Sequence, residues 1–221
     1  MVAVAGVALW LGGWWWDIFV AAVAITCLWE FVVLILKATS AHSYRVIGVV
    51  LAFVYIFLAA FELMAKRSAW AGEVDSIGSI SVITVLGIVV LTDVGAYFSG
   101  RAIGGPKIAP RISPKKTWAG LLGGMIAASI WSMCAVSFAY SYENLANYGW
   151  ALTYWGIPAA FVGAGLAVIA QGGDFFESWL KRKAGVKDSS SLIPGHGGVF
   201  DRVDGMLAVL VATNFFHFGI L

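Results

Sequence analysis

The sequence is poor in charge. Only 12% of its 221 residues are Asp, Glu, Lys or Arg, against about 25% in ordinary soluble domains, so half the usual solvating surface is missing and a water-soluble globule is excluded. Cysteine is almost absent. Cys27 and Cys134 both sit inside apolar runs, where a thiol behaves as a small hydrophobe, so neither a disulfide scaffold nor a thiolate metal centre is expected. Internal repeats, low-complexity tracts, HExxH, GxSxG and zinc-spaced Cys/His sets are all missing. Gly100–Lys107 approaches a phosphate-binding P-loop, but Pro106 separates Gly105 from Lys107 and no Ser or Thr follows. A cleavable signal peptide is not expected, because Met1–Trp10 lacks a basic start. A net charge of +2 gives no reason to expect a nucleic-acid partner.

What the chain does have is apolarity: 61% hydrophobic residues and a mean hydropathy of +0.88. Continuous apolar runs, rather than alternating ones, exclude a membrane β-barrel, and in lipid the backbone must then satisfy itself as helix. The runs predict a short piece over 1–11 and spans near 14–36, 46–65, 77–98, 118–140, 151–171 and 203–220. The expected fold is an all-α polytopic membrane bundle of about six to eight helices, at roughly 20 residues per span. The loops 37–45, 99–117 and 172–202 should share one face, and they carry twelve of the fourteen basic residues. By the positive-inside rule that face is cytoplasmic. An integral membrane protein of the bacterial inner membrane, with its site facing the cytoplasm, is expected.

Two segments concentrate chemistry. The loop 172–202 is long for a connection and starts as a helix leaving the membrane, on which Asp174, Ser178 and Lys181 share one face. Arg182, Lys183 and Lys187 add positive charge, a flexible Gly195–Gly198 turn follows, and Asp201, Arg202 and Asp204 stand where the last span begins. Thr92–Trp118 places Asp93 and Tyr97 on one helix face, followed by five bases and no acid: Arg101, Lys107, Arg111, Lys115 and Lys116. Carboxylates beside bases and a glycine-rich turn suit a metal–phosphate site, since magnesium takes one or two carboxylates and fills its shell with water and phosphate oxygens. Positive-inside placement alone would also account for the bases. Asp17, Glu30 and Glu62 read as structurally paired acids.

Ser178-x-Leu180-Lys181-Arg182-x4-Lys187-Asp188, followed by Pro194-x-His196-Gly197-Gly198-x2-Asp201-Arg202-x-Asp204, resembles the signature of the phosphatidate cytidylyltransferase (CDP-diacylglycerol synthase) family. Gly173-Asp174-x2-Glu177-Ser178, Asp93-x-Gly95-Ala96-Tyr97 and Ser113-Pro114-Lys115-Lys116-Thr117-Trp118 resemble it too. The similarity covers roughly the last 130 residues, which sets a catalytic membrane region over 91–221 apart from N-terminal helices over 1–90, where the first helix is short for the family. The resemblance implies that CTP and phosphatidate give CDP-diacylglycerol and pyrophosphate, in phospholipid biosynthesis. It implies catalytic roles for Asp174, Ser178, Lys181 and Asp201, and metal binding by Asp174 and Asp201 with Asp93 and Asp204. Substrate contacts would come from Lys181, Arg182, Lys187, Asp188, His196, Gly197, Gly198 and Arg202, together with Ser113, Lys115 and Lys116. The cofactor would be Mg2+, with room for a second divalent or a monovalent cation. The partners would be the lipid bilayer and the two substrates, and the reading admits a homodimer.

Other classes of function make different predictions. A CTP-dependent lipid kinase would leave cytidine in CDP. A transporter would move substrate without consuming CTP, but its polar residues should lie along a mid-depth path, whereas here they gather at one face. A scaffold leaves 172–202 without a purpose.

Overall fold

A computed structural model describes residues 2–68, 75–144, 147–193, 195 and 197–215. Its helices are α1 (Val2–Leu11), α2 (Gly13–Ala38), α3 (His42–Ser68), α4 (Asp75–Ala102), α5 (Trp118–Asn144), α6 (Tyr148–Ala151), α7 (Ile157–Lys183) and α8 (Phe200–Phe215). Strands β1 (Lys107–Ala109) and β2 (Ser113–Thr117) form an antiparallel hairpin between α4 and α5. A single π-helical turn, Leu152–Gly156, joins α6 to α7. Five stretches are long and apolar enough to cross a membrane: 13–38, 42–67, 79–102, 118–142 and 148–183. The protein is therefore an all-α polytopic membrane protein. Among the described residues five of the six expected spans have such a helix; the sixth, 203–220, starts within α8 and runs beyond the described residues.

Helix ends carry the chemistry expected at a bilayer surface. Trp14 and Trp15 are exposed at the start of α2, where aromatic rings prefer the interface, and Lys37 lies in its last turn. The end of α7 carries Lys181, Arg182 and Lys183, complementing the negative end of the helix dipole. It closes with paired bonds from Val186 N–H to the Lys181 carbonyl and from Gly185 N–H to that of Arg182. Gly185 takes the left-handed conformation (φ 69°) that this C-terminal motif requires.

Packing relies on small residues, as expected where lipid offers no hydrophobic drive between helices. The most extensive seam joins α4 to α5. There a Cβ on Gly95 would sit 2.5 Å from the Gly123 carbonyl oxygen. Buried Cys27, Leu34, Val82, Val85, Ile88, Ala128 and Leu210 belong to one apolar core. Helix α8 packs on both α7 and α3, and α2 packs on α7, so residues before and after position 90 share that core. The boundary itself falls within α4.

Of the two long loops, one starts as a helix as expected and the other contains a strand pair that was not expected. The region 172–202 is helical as far as Lys183, because α7 runs straight through Gly172–Gly173. A mid-helix glycine costs about 1 kcal/mol relative to alanine, and here it lets α8 approach: a Cβ on Gly173 would lie 2.6 Å from the Asp204 carbonyl oxygen. The region 99–117 contains the β1–β2 hairpin, with Lys107 opposite Thr117 and Ala109 opposite Ser113.

Candidate active site

The site lies at the seam of α7 and α8, roofed by the β1–β2 hairpin. Three α7 residues, Asp174, Glu177 and Lys181, recur at helical spacing and so point the same way. From α8 the first turn brings Asp201 and, three residues on, Asp204. Close helix approach makes the meeting possible, since a Cβ on Gly205 would lie 2.8 Å from Asp174 Oδ1.

Lys181 is the hub. Its Nζ lies 2.6 Å from Glu177 Oε2 and 2.7 Å from Asp201 Oδ1. Asp201 Oδ2 accepts further bonds from Gly198 N–H at 2.7 Å and from the Ser189 N–H and hydroxyl, both at 2.9 Å. Burial by itself would push the Asp201 carboxyl up; contacts with Glu177 and Lys181 and the Gly198 and Ser189 N–H groups outweigh it and hold the carboxyl below the usual range. Asp174 Oδ2 pairs with the Lys116 ammonium of β2, which also sits 4.8 Å over the Phe175 ring. No donor among the described residues reaches Asp174 Oδ1.

Glu177 is buried and its Oε1 has no hydrogen-bond partner. The same carboxyl reaches those of Asp201 and Asp204. Asp93 on α4 and Asp204 both lie within electrostatic range of Asp174. Five acids, the buried Glu177, the half-buried Asp174, Asp201 and Asp204 and the exposed Asp93, thus gather around two lysines, and a proton or a cation would relieve that excess of negative charge where it is shielded from water. The donor set is hard carboxylate oxygen, which suits Mg2+. Among the described residues no three Asp, Glu, His or Cys converge into a ready-made metal cage. The fit is therefore to an ion completed by water or phosphate oxygens.

The structure brings Asp174, Lys181, Asp201, Asp204, Lys116, Gly197 and Gly198 together, with Asp93 near. Gly197 (φ 81°) lies against Asp201, where a Cβ would be 2.7 Å from Oδ2. Ser178 is half-buried on α7, and Ser113 is half-buried in β2. Lys115, Arg182, Lys187, Asp188 and Arg202 are exposed. His196 and Pro194 lie outside the described residues. Two acids not assigned to the site from sequence belong to it: Glu177, whose spacing between Asp174 and Lys181 was the available signal, and Glu30 of α2. The hydroxyl of Ser190 and the N–H groups of Val199 and Phe200 donate to Glu30, and the Ser189 hydroxyl lies between it and Asp201.

Beside the polar site runs an apolar groove of about 1080 Å³ between α2, α3, α7 and α8. Gly173 and Tyr55 adjoin the carboxylates, Ile35, Phe176 and Trp179 form its walls, and Thr39, Tyr44 and Lys183 line it where the basic loops begin.

Residues 32–219 match the model of the cytidylyltransferase family. The chain is 39% identical over 161 residues to the phosphatidate cytidylyltransferase of Brucella suis, covering 73% of this chain and 54% of that protein. To the Haemophilus influenzae protein of the same name it is 38% identical over 148 residues, 65% of this chain and 48% of the relative. To that of Rickettsia felis it is 35% identical over 182 residues, 82% and 73% respectively. The chain spans about half the length of the first two relatives.

Proposed function

The chain belongs to the cytidylyltransferase family, and from that premise we propose that it transfers the cytidylyl group of CTP to phosphatidate, giving CDP-diacylglycerol and pyrophosphate. The observation that carries this reading is the acid-rich lattice around Lys181 and Lys116, placed where basic loops meet an apolar groove. A triphosphate and a lipid phosphate are both anions, and joining them is chiefly a matter of positioning and charge neutralisation.

An oxygen of the phosphatidate phosphate attacks the α-phosphorus of CTP, the bond from that phosphorus to the bridging oxygen breaks, and pyrophosphate leaves with its charge. The attacking phosphate is already ionised at neutral pH, so no general base is needed. Lys181, held by two carboxylates, presents a fixed ammonium to the triphosphate. Lys116 does so from the hairpin, and Ser178, with the exposed Arg182, Lys187 and Arg202, supports the phosphate tail. Ser113 and Lys115 flank the lipid phosphate, whose acyl chains lie in the groove lined by Phe176 and Trp179. Asp174, whose Oδ1 has no donor among the described residues, and Asp204, Asp93 and Asp201 would hold Mg2+, which supplies neutralisation of the triphosphate charge. The basic face is assigned to the cytoplasm, where CTP is found, and the membrane to the bacterial inner membrane.

The test is protein in lipid nanodiscs given phosphatidate, Mg2+ and CTP labelled in the cytidine ring. Label appearing in the lipid supports the proposal. Label released as CDP with a newly phosphorylated lipid establishes a kinase instead, and CTP left intact overturns any CTP-dependent enzyme.

A further inference from the structure

Glu30 lies on α2, two residues before the family-matched segment begins. It is fully buried, and among the described residues no basic side chain pairs with it. Instead it accepts three hydrogen bonds, and lies within reach of a fourth donor shared with Asp201, from a single stretch of chain about 160 residues away. Oε1 takes the Ser190 hydroxyl and, at 3.1 Å, the Val199 N–H; Oε2 takes the Phe200 N–H at 2.6 Å and lies 3.2 Å from the Ser189 hydroxyl. Phe200 is the first residue of α8, so the carboxylate satisfies N–H groups at a helix start that no intrahelical carbonyl can reach. It also sits at the positive end of the helix dipole. Buried carboxylate oxygens need donors around them in this way.

We infer that Glu30 is a positioning residue: from α2 it clamps the loop 189–199 and the start of α8, and so presets Asp201. The route is short. The Ser189 hydroxyl lies within reach of both Glu30 Oε2 and Asp201 Oδ2, and the Ser189 and Gly198 N–H groups hold the same Asp201 carboxylate that Lys181 engages. Gly198 is glycine for the same reason. A Cβ there would lie 2.0 Å from Ser189 Oγ and 2.5 Å from Glu30 Oε1, so the clamp occupies the space of the missing side chain.

The effect on CTP use rests on the cytidylyltransfer reading; the clamp itself does not. The test uses Glu30→Gln, which keeps the shape but replaces one acceptor oxygen with a donor, and Ser190→Ala, which removes one donor and no charge. In nanodiscs, amide exchange of a peptide covering Val199 and Phe200 should quicken by about tenfold or more in Glu30→Gln and by a few-fold in Ser190→Ala, as charged hydrogen bonds of this kind predict. Exchange within α3 should stay unchanged. The CTP KM should rise about tenfold with the phosphatidate KM within about twofold, a split that general destabilisation does not produce. Unchanged exchange at 199–200, or faster exchange spread evenly over the protein, overturns the clamp. If Glu30→Gln fails to fold, Ser190→Ala decides on the same readouts. Wild-type protein that ignores CTP sinks the catalytic reading and leaves the exchange result to judge the clamp.

Discussion

Glu62 and Lys66 stand one turn apart on α3, at the end of the bundle away from the basic loops. They pair at 3.0 Å, and the Asn214 amide donates to the other Glu62 oxygen at 3.1 Å. At the opposite end Lys181 is divided between Glu177 and Asp201, Lys116 serves Asp174, and Asp204 and Asp93 stand close by with no lysine of their own among the described residues. Both regions take charge out of water, and both use lysine against carboxylate. The first is balanced and closed within two helices and one amide. The second is assembled from α4, α7, α8 and a hairpin, and it is left negative, with one buried carboxylate oxygen unpartnered. A balanced pair is a means of tolerating burial; an unbalanced lattice is an appetite for a cation.

The sharpest way to break this contrast is Asp174→Asn. It removes the carboxylate that faces Lys116, and initial rates of labelled lipid formation should fall by at least about 100-fold, the scale of losing one preorganised electrostatic group. Next, Lys181→Met leaves Glu177 and Asp201 without their shared counter-charge. Breaking a buried pair from one side costs about 3–5 kcal/mol, read as a large drop in the midpoint of thermal unfolding in detergent, with activity lost alongside. Third, Mg2+ added to wild-type protein without nucleotide should raise that midpoint, since an ion at about 100 times its Kd adds about 2.7 kcal/mol; Asp174→Asn should lose most of the gain, and an equal gain in both proteins would remove Asp174 from the metal site. The smallest effect is expected at the balanced end. Glu62→Gln should change stability by no more than about 1 kcal/mol and leave the rate of lipid labelling close to wild type.

The helices were legible because a bilayer reduces the problem to length and hydropathy, and the basic loops because charge distribution marks their face. The β1–β2 hairpin was not. A two-stranded ribbon of Lys-Ile-Ala and Ser-Pro-Lys-Lys-Thr has no alternating apolar face to announce it, and two-stranded hairpins depend on their surroundings for stability. Asp174, Lys181 and Asp201 could be singled out from their residue types and their place beside a span. Glu30 read as a structurally paired acid, and it is one, but pairing with a serine hydroxyl and two N–H groups across the sequence leaves no local trace. Glu177 looked like an ordinary helix acid until α8 brought Asp201 and Asp204 against it.

Composition and pattern alone settled that this chain is a helical membrane protein whose basic loops gather on one face, because lipid allows the backbone no other route and hydropathy is read residue by residue. They also gathered the candidate side chains into two segments. Tertiary structure alone decided which of those side chains meet. The contact of Gly173 with α8, the reach of Lys116 from a hairpin and the grip of Glu30 on the start of α8 depend on separations below 4 Å between residues far apart in the chain, and no one-dimensional pattern encodes such distances.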